Sequence, residues 1–340
     1  MRTNRIKAYA RAGVDVELGN TLKREIQSIV RSTHGPEVLG KIGGFSGLFR
    51  VNFKGMKDPV LVSSVDGVGT KLKVAFAMDR HDTIGQDLVN HCINDIAVLG
   101  ARPLFFLDYV AAGKLEPAVF RQLLGGLAKA CRAAGCAIIG GETAQMPGMY
   151  REGEYDVAGT IVGVVDRPKM LDGSLVRPGD VLIGLPSDGL HTNGFSLARR
   201  VLFEDLGLKT SSRLPELRLT LGEELLRVHR NYQPLIASLP TGLVHAAAHI
   251  TGGGLIDNLP RVLPKGCQAN IRRDSWRVSP IFQIIQRAAS VDPVEMFNVF
   301  NMGIGMVLIV AKNRETEAVR RTRGRVIGEI VEGSQTVALV

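Results

Sequence analysis

Residues 61–71, LVSSVDGVGTK, combine residue types that bind phosphate and its metal ion. A largely β-branched run ends at Asp66, two glycines and Thr70 follow, and Lys71 closes the segment. Glycine lets backbone N–H groups approach an anion closely, and successive N–H groups can bind phosphate oxygens. Lys71 would add a positive charge for phosphate, and Asp66 could bind the Mg²⁺ that accompanies a nucleotide. Because the spacing of a Walker A loop is absent, an ordinary strand-to-turn junction remains the alternative.

Two further acidic residues stand at the ends of predicted strands. Asp108 follows the apolar run of PLFFL, and Glu142 follows IIGG. A buried strand that ends in an acid needs a partner for that charge, which a bound cation could supply. A turn or helix-capping role is the alternative for each.

A third group lies on the helix predicted after Asp66. Asp87 is seven residues before Asn94 and therefore lies near it on one helical face, and Asp95 is next in the chain. Carboxylates from a strand end and a neighbouring helix commonly hold Mg²⁺ on a nucleotide, so Asp95 is predicted to bind metal or substrate. The alternatives are a solvated helix surface for Asp87 and a buried hydrogen-bonding pair for Asn94 and Asp95.

Two glycine-bounded loops precede helices in the second half. GLPSDGLHTNG contains His191 and Asn193, and ITGGGL contains Thr251–Gly254 after His245 and His249. A loop before a helix N-terminus can bind an anion through backbone N–H groups, and histidine can exchange protons near neutral pH. A hydrogen-bonded structural histidine is the alternative for His191. The H-E-x-x-H, nucleophile-elbow, dinucleotide-binding and kinase signatures do not occur in the sequence.

The composition is that of an ordinary soluble globular protein rather than a membrane or secreted protein. The chain has 340 residues, 45% of them hydrophobic and 22% charged, which is enough for two domains with their own cores. No apolar run reaches the ~20 residues of a membrane span, and the N-terminus lacks the apolar segment of a secretory signal. The four cysteines lack zinc-site spacing and are predicted to be reduced thiols of a cytoplasmic protein.

The net charge of +9 permits a nucleic acid partner. The basic residues are nevertheless scattered, and aromatic residues make up only 5%, which leaves few platforms for base stacking. We therefore expect a basic surface and anionic small-molecule substrates, and no nucleic acid partner.

The first half predicts the order β, α, β, α, β, β, after a helix over 15–31. The second half predicts a strand at DVLIGLPS, a helix from Phe195 to about Glu204, a glycine-broken strand pair in FNMGIGMVLIV, and a C-terminal edge hairpin in VIGEIVEGSQTVALV. The proline- and glycine-containing stretch from Arg167 to Asp180 is the predicted boundary between domains at 1–170 and 171–340.

Nine segments together resemble the phosphoribosylformylglycinamidine cyclo-ligases, also called aminoimidazole ribonucleotide synthetases. They run in order along the chain: GVDVELGN, GGFSGLF, SVDGVGTKL, DLVNHCINDIAVLGARPLFFLDY, GGETAQMPGMY, YDVAGTIVGVVD, GLPSDGLHTNGFS, HITGGGLIDNLPRVLP and FNMGIGM. DGVGTK alone marks a wider superfamily with thiamine-monophosphate kinases and selenophosphate synthetases, whereas PLFFLDY and GGETAQMPGMY narrow the resemblance to the cyclo-ligases.

The resemblance implies an α+β fold of two α/β domains, with the second sheet covered by helices. The mixed sheet of the first domain would pair across a homodimer into a barrel, and that domain would bind ATP. The implied reaction is the Mg²⁺- and ATP-dependent closure of the imidazole ring of formylglycinamidine ribonucleotide in purine biosynthesis. Phosphorylation would turn the formyl amide oxygen into a leaving group, so the protein need only position the partners and neutralise phosphate charge.

By motif match, the resemblance also implies roles for individual residues. Catalytic roles fall to Asp66, Lys71, Asp95 and His191, of which Asp66 and Asp95 would bind the metal. Nucleotide binding falls to Gly43, Gly44, Gly47, Gly67, Gly69, Thr70, Asp108 and Glu142, with Gly43–Gly47 as a loop that closes over ATP. Substrate binding falls to Asn193, Thr251, Gly252, Gly253 and Gly254.

Two segments depart from the family pattern. Gln145 stands where many relatives have Glu, and LLRVHRNYQPLI stands where relatives often have a Pro-Thr pair, which leaves the role of Arg230–Tyr232 open. A kinase of a small phosphorylated metabolite, a basic nucleic-acid-binding protein and a catalytically silent homologue are the other hypotheses. The acids at 66, 95, 108 and 142 argue against the silent homologue.

Overall fold

The computed structural model describes residues 26–114 and 116–340. Of the helix predicted over 15–31, residues 26–31 are helical, and the rest lies outside the described residues. The chain divides into two compact units. The first contains the described residues up to Met56 with Leu61–Ile93 and Pro103–Val164, and the second contains Lys57–Val60, Asn94–Arg102 and Val165–Val340.

The first unit is built on a four-stranded sheet with the order β1-β4-β2-β3. Its strands are β1 (Pro59–Gly67), β2 (Arg102–Ala112), β3 (Ala137–Gln145) and β4 (Tyr155–Asp166). The helices are α1 (Leu72–Met78), α2 (Asp82–Ala97) and α3 (Pro117–Ala133). β2 and β3 are parallel, and α3 connects them. The predicted alternation of strands and helices is confirmed, with α1 as an addition.

Helices α2 and α3 pack closely because two glycines face each other's backbones. A Cβ atom on Gly85 would overlap the backbone at Leu123 and Leu127, and one on Gly126 would overlap the carbonyl of Asp82. The predicted apolar stripe of α2 is also buried, with Leu88, Cys92 and Ile96 fully inaccessible. This burial fixes which face of α2 carries polar residues to the site.

The second unit is built on a six-stranded mixed sheet with the order β10-β7-β9-β5-β8-β6. Its strands are β5 (Val181–Pro186), β6 (Val244–His249), β7 (Cys267–Ile271), β8 (Ile304–Val310), β9 (Arg325–Glu332) and β10 (Val337–Leu339). β10 pairs with β7 in parallel, whereas β5 pairs with β8 and β9 antiparallel.

Two local predictions are wrong in this unit. The C-terminal residues do not form a hairpin, because β7 lies between β9 and β10 and pairs with both. The FNMGIGMVLIV segment is not a strand pair, because its first residues end a helix and only Ile304–Val310 forms a strand.

The helices of the second unit are mostly short. They are α4 (Phe195–Arg199), α5 (Leu221–Leu225), α6 (Gln233–Ser238), α7 (Gly254–Asn258), α8 (Pro280–Ala289), α9 (Pro293–Val299) and α10 (Glu315–Thr322). The helix predicted from Phe195 is present, but after α4 it continues as a wider π-helical turn over Arg200–Asp205. A core of β5, β6 and β8 side chains buries Tyr232 and Ala97.

Within the described ranges, no helix is both long enough and apolar enough to cross a bilayer. All four cysteines lie in those ranges, and each is buried and free of disulfide bonds.

Candidate active site

The end of β1 presents a partly accessible carboxylate. Asp66 is the second-last residue of β1, and its Oδ2 atom lies 3.3 Å from Nε2 of His91 on α2. The Asp66 side chain is 32% exposed, whereas the His91 side chain is buried. The imidazole therefore orients one side of the carboxylate and leaves part of it accessible. Gly67, Gly69 and Thr70, which follow, are exposed.

Lys71 points into the protein rather than toward solvent. Its Nζ atom lies 2.8 Å from Oδ2 of Asp87 on α2, and neither side chain has exposed surface. Burial lowers the pKa of the Lys71 ammonium, and the charge of Asp87 opposes that shift. The surface alternative for Asp87 is thus wrong. The predicted phosphate contact of Lys71 remains a prediction.

Asp108 and Glu142 were predicted at strand ends, which is wrong, because both lie inside their strands, β2 and β3. They also do not share a face of the sheet. In the parallel pairing of β2 with β3, Asp108 is opposite Gly141 and Tyr109 is opposite Glu142. Because neighbouring residues of a strand point to opposite faces, Asp108 and Glu142 lie on different sides. Burial raises the pKa of Asp108 to about 7. Glu142 is exposed and accepts a hydrogen bond from the backbone N–H of Thr143 at 3.0 Å.

The predicted glycine loop is closed by an isolated β-bridge and packs beside β3. Val38 and Phe49 form an antiparallel bridge, and the N–H of Leu39 donates to the carbonyl of Leu48 at 2.8 Å. Gly43 and Gly44 are exposed in the loop between them. Gly47 packs against Ile139 of β3. The loop is therefore attached at its stem and open at its tip, where Phe45 is fully exposed.

A chain of hydrogen bonds runs through the second unit from Asp95 to Thr192. Oδ1 of Asp95 lies 2.8 Å from Nδ1 of His249. Nε2 of His249 lies 2.9 Å from Nε2 of His229, and Nδ1 of His229 lies 3.3 Å from Oγ1 of Thr192. His191 stacks on His229 with ring centroids 4.0 Å apart. The aspartate and the histidine selected from the sequence thus belong to one cluster.

The neighbour of Asp95 clamps the segment that carries His229. The buried Asn94 side chain donates to the carbonyl of Arg230 and accepts from the N–H of Tyr232, both at 2.8 Å. The hydroxyl of Tyr232 donates to the carbonyl of Pro186, also at 2.8 Å. In the segment that departs from the family pattern, His229 and Tyr232 are therefore buried in the cluster, whereas Arg230 is exposed.

His191 adopts an uncommon backbone conformation at the centre of this cluster. Its φ is +60°, its side chain is fully buried, and its Nε2 atom accepts a hydrogen bond from the N–H of Asp188 at 3.1 Å. A Cβ atom on Gly305 would overlap the His191 ring and the Tyr232 hydroxyl, so glycine is needed there. A non-glycine residue in this conformation costs free energy, and such residues concentrate at functional sites.

The two predicted substrate loops lie side by side. Asn193 lies near Gly252, because a Cβ atom added to Gly252 would lie 3.4 Å from the Asn193 Oδ1 atom. The Asn258 amide donates to the carbonyls of Gly252 and Gly254 at 3.1 and 2.8 Å, which fixes the glycine loop. The Asn193 Nδ2 atom is buried without a hydrogen-bond partner among the described residues. A buried donor without a partner beside a glycine loop is suited to bind an acceptor atom of a ligand.

Comparisons with known proteins match both halves of the chain. The family model "AIR synthase related protein, N-terminal domain" matches residues 49–165, and its C-terminal counterpart matches residues 177–340. The phosphoribosylformylglycinamidine cyclo-ligase of Syntrophotalea carbinolica is 52% identical over 342 aligned positions, which cover 98% of each chain. The chain belongs to the phosphoribosylformylglycinamidine cyclo-ligase family. The resemblance stated from the nine motifs is confirmed.

Solved structures of the wider superfamily share the fold. Thiamine-monophosphate kinase from Stenotrophomonas maltophilia K279a superposes with a TM-score of 0.69 at 19% identity, covering 93% of this chain and 94% of its own. The hydrogenase maturation protein HypE in complex with ATP superposes with a TM-score of 0.66 at 19% identity, covering 93% and 90%. At these identities the likeness establishes the cyclo-ligase fold alone.

Sequence reasoning missed two members of these clusters. His91 lies one helical turn before Asp95, and His229 lies in the segment that departs from the cyclo-ligase pattern. The helical spacing on α2 was a usable signal for His91. Only the tertiary structure brings His229 to His249, so no sequence spacing could have indicated it.

Proposed function

We propose that the chain catalyses the ATP-dependent closure of formylglycinamidine ribonucleotide to 5-aminoimidazole ribonucleotide, with release of ADP and phosphate. The observation that carries the proposal is the 52% identity, over 98% of both chains, to a protein named phosphoribosylformylglycinamidine cyclo-ligase. The product is an intermediate of de novo purine biosynthesis.

The reaction divides into two steps with balanced bonds. The formyl amide oxygen attacks the γ-phosphorus of ATP, the bond from that phosphorus to ADP breaks, and the oxygen becomes part of a phosphate leaving group. The amidine nitrogen then attacks the formyl carbon and forms the new C–N bond. The nitrogen loses a proton, and the C–O bond to phosphate breaks. Positioning the nitrogen against the activated carbon supplies much of the rate enhancement.

The first unit is the proposed ATP-binding domain, within the 1–170 region. The exposed turn that follows Asp66 offers backbone N–H groups at Gly67, Gly69 and Thr70 for phosphate oxygens. The open glycine loop around Gly43 would cover the nucleotide. HypE, which shares the fold, has a structure in complex with ATP, and this supports ATP as the cosubstrate.

Asp66 and Asp95 are the proposed Mg²⁺ ligands. Their side chains are 32% and 27% exposed, and each carboxylate is also hydrogen-bonded by a buried imidazole. Mg²⁺ prefers carboxylate oxygens, and ligating groups are commonly oriented by a second hydrogen bond. Each carboxylate, taken by itself, therefore suits the ion, which when bound would neutralise negative charge on the triphosphate.

The second unit, within 171–340, is the proposed site of the ribonucleotide. The donor of Asn193 and the backbone of Thr251–Gly254 would bind its anionic groups. His191 is fully buried and stacks on His229, so we assign it to shaping the site as well as to the chemistry implied by the family.

A homodimer is proposed from the first sheet. The residues of β1 alternate between exposed and half-buried, and Leu61 and Val65 are 60% and 67% exposed on one side. An apolar sheet face of this kind is typical of a protein interface. We also propose a cytoplasmic location, which four disulfide-free cysteines support.

The first experiment is an assay of purified protein with formylglycinamidine ribonucleotide, ATP and Mg²⁺. We expect ADP and the aminoimidazole product in equal amounts, with no ADP release when the ribonucleotide is omitted. ATP consumption that requires a different phosphorylated acceptor would instead assign the chain to the kinase branch of the superfamily. No ATP turnover with either substrate would contradict both assignments.

A further inference from the structure

The hydrogen-bond chain from Asp95 to Thr192 joins one partly exposed carboxylate to buried side chains. We propose that His229 is a positioning residue for the reaction, which acts through His249 to orient the carboxylate of Asp95. Neither His229 nor His249 was assigned a role by the sequence analysis. The inference rests on the proposed function, because that function makes Asp95 a ligand of the reacting groups.

The contacts follow from the donors and acceptors in sequence. A carboxylate only accepts, so Nδ1 of His249 carries the proton that is donated to Asp95 at 2.8 Å. The facing Nε2 atoms of His249 and His229 lie 2.9 Å apart and share one hydrogen bond. Nδ1 of His229 lies 3.3 Å from the hydroxyl oxygen of Thr192.

Both bridging rings are shielded from solvent. His229 is wholly inaccessible and His249 is 6% exposed. Only one proton can lie between the two facing Nε2 atoms. The rings are therefore joined by a single hydrogen bond that lies away from water.

The two ends of the chain differ in accessibility. Thr192 is buried, whereas the side chain of Asp95 is 27% exposed. The accessible end is the one that can meet a ligand, and the three groups behind it form its support. The chain therefore supports Asp95 and is not a relay that takes protons from a substrate at Thr192.

The backbone of His229 is also fixed relative to Asp95. Asn94 binds the carbonyl of Arg230 and the N–H of Tyr232, and Asp95 is the next residue after Asn94. The contacts close a ring through Asn94, the 229–232 segment, His249 and Asp95. Such a ring holds a carboxylate in one orientation, and the loss of a supporting hydrogen bond of this kind typically costs 10- to 100-fold in metal affinity or activity.

The first test measures the histidine tautomers directly and needs no substrate. Nitrogen-15 labelling of the seven histidines would report which ring nitrogen carries each proton. We expect a proton on Nδ1 of His249 and one proton between the two facing Nε2 atoms, assigned with His229→Gln and His249→Gln spectra. The absence of a proton from Nδ1 of His249, or from both facing Nε2 atoms, would overturn the inference.

The second test compares two substitutions that preserve different properties of His229. Phe retains a ring to stack on His191 but cannot donate to His249, whereas Gln can donate but cannot stack. A positioning role predicts that His229→Phe lowers kcat about 10- to 100-fold, while His229→Gln retains most of it. A purely structural role predicts the opposite order, and kcat that is equal or higher for Phe would overturn the inference.

A matched control is available in the same unit. Nδ1 of His245 lies 2.7 Å from Oδ2 of Asp180, which is another buried imidazole–carboxylate pair outside the cluster. His245→Gln is expected to lower the melting temperature with little change in kcat. If the unsubstituted protein forms no aminoimidazole product, the proposed function fails, and the tautomer measurement then decides the inference by itself.

Discussion

The Nζ atom of Lys71 lies 2.8 Å from Oδ2 of Asp87, and both side chains are completely buried. Lys71, the lysine of the predicted phosphate-binding segment, therefore connects the turn after β1 to helix α2. The contact with Asp87 holds the Lys71 ammonium away from solvent. We expect its first effect on activity to come through the placement of the turn that follows Asp66.

Removing one member of this pair should destabilise the protein strongly. Lys71→Met leaves Asp87 as a buried charge without its ammonium partner, and such losses typically cost about 3–5 kcal/mol. Urea unfolding would measure the change. The double substitution Lys71→Met with Asp87→Leu should recover much of the lost stability, because both charges are removed together. A Lys71→Met protein of normal stability with a raised KM for ATP would instead support the phosphate contact.

Asp108 should make stability depend on pH. Burial raises its folded pKa to about 7, above the value of 3.8 for the free side chain. The folded state holds a proton that the unfolded state releases between these values, so this group lowers stability as pH rises from about 4 to about 7, with little further change above that.

The Asp108→Asn variant tests this dependence. We expect its melting temperature to exceed that of the parent by about 5 °C or more at pH 8, and the gap to close toward pH 4. Thermal unfolding at several pH values would measure it. A gap that stays constant with pH would show that Asp108 does not titrate in this range.

The sequence predicted the elements that are bounded by strong local signals. β2 contains the apolar run Pro103–Leu107 and lies between Gly100 and Gly113, and α3 begins at Pro117 and is followed by Gly135. The C-terminal hairpin failed for a physical reason. Its Gly-Ser turn is typical of a hairpin, but β7 binds between the two strands, and such non-local pairing has no signature in the local sequence.

The candidate site was predictable where residue type and position in the chain gave a signal. Asp66, Asp95 and Asn193 were selected from residue type and position relative to predicted elements. The burial of Lys71 was missed because its partner is 16 residues further along the chain on another element. The role of His229 was missed because its contact with His249 exists only in the tertiary structure.

Asp66 should matter for turnover and not for folding. Its carboxylate is partly exposed at the end of β1, so Asp66→Asn preserves size while removing the charge that would bind Mg²⁺. We expect kcat to fall by a factor on the order of 100 or more, with a melting temperature within about 2 °C of the parent. Asp156→Asn, an exposed aspartate of the same sheet, is the control. Normal activity of Asp66→Asn would remove this residue from the mechanism.

His191 should contribute to both stability and turnover. His191→Ala loses the stacking on His229 and the hydrogen bond from Asp188, and it keeps a side chain at φ +60°. We expect a loss of about 2–4 kcal/mol in urea unfolding, together with reduced kcat. His191→Asn tolerates the left-handed backbone better and should recover part of the stability. Reduced kcat with unchanged stability in His191→Ala would assign the residue to chemistry alone.

The exposed face of β1 should control the oligomeric state. Leu61 and Val65 would each bury apolar surface worth about 1.5–3 kcal/mol in a dimer, and a lysine there would place a charge in the same interface. We expect the parent to have twice the chain mass of 36.7 kDa in light scattering after size exclusion, and Leu61→Lys with Val65→Lys to have the mass of one chain. Leu175→Lys changes a similarly exposed leucine in the second unit and should leave the dimer intact. A monomeric parent would contradict the homodimer, whereas a dimeric double variant would show that the interface lies on another face.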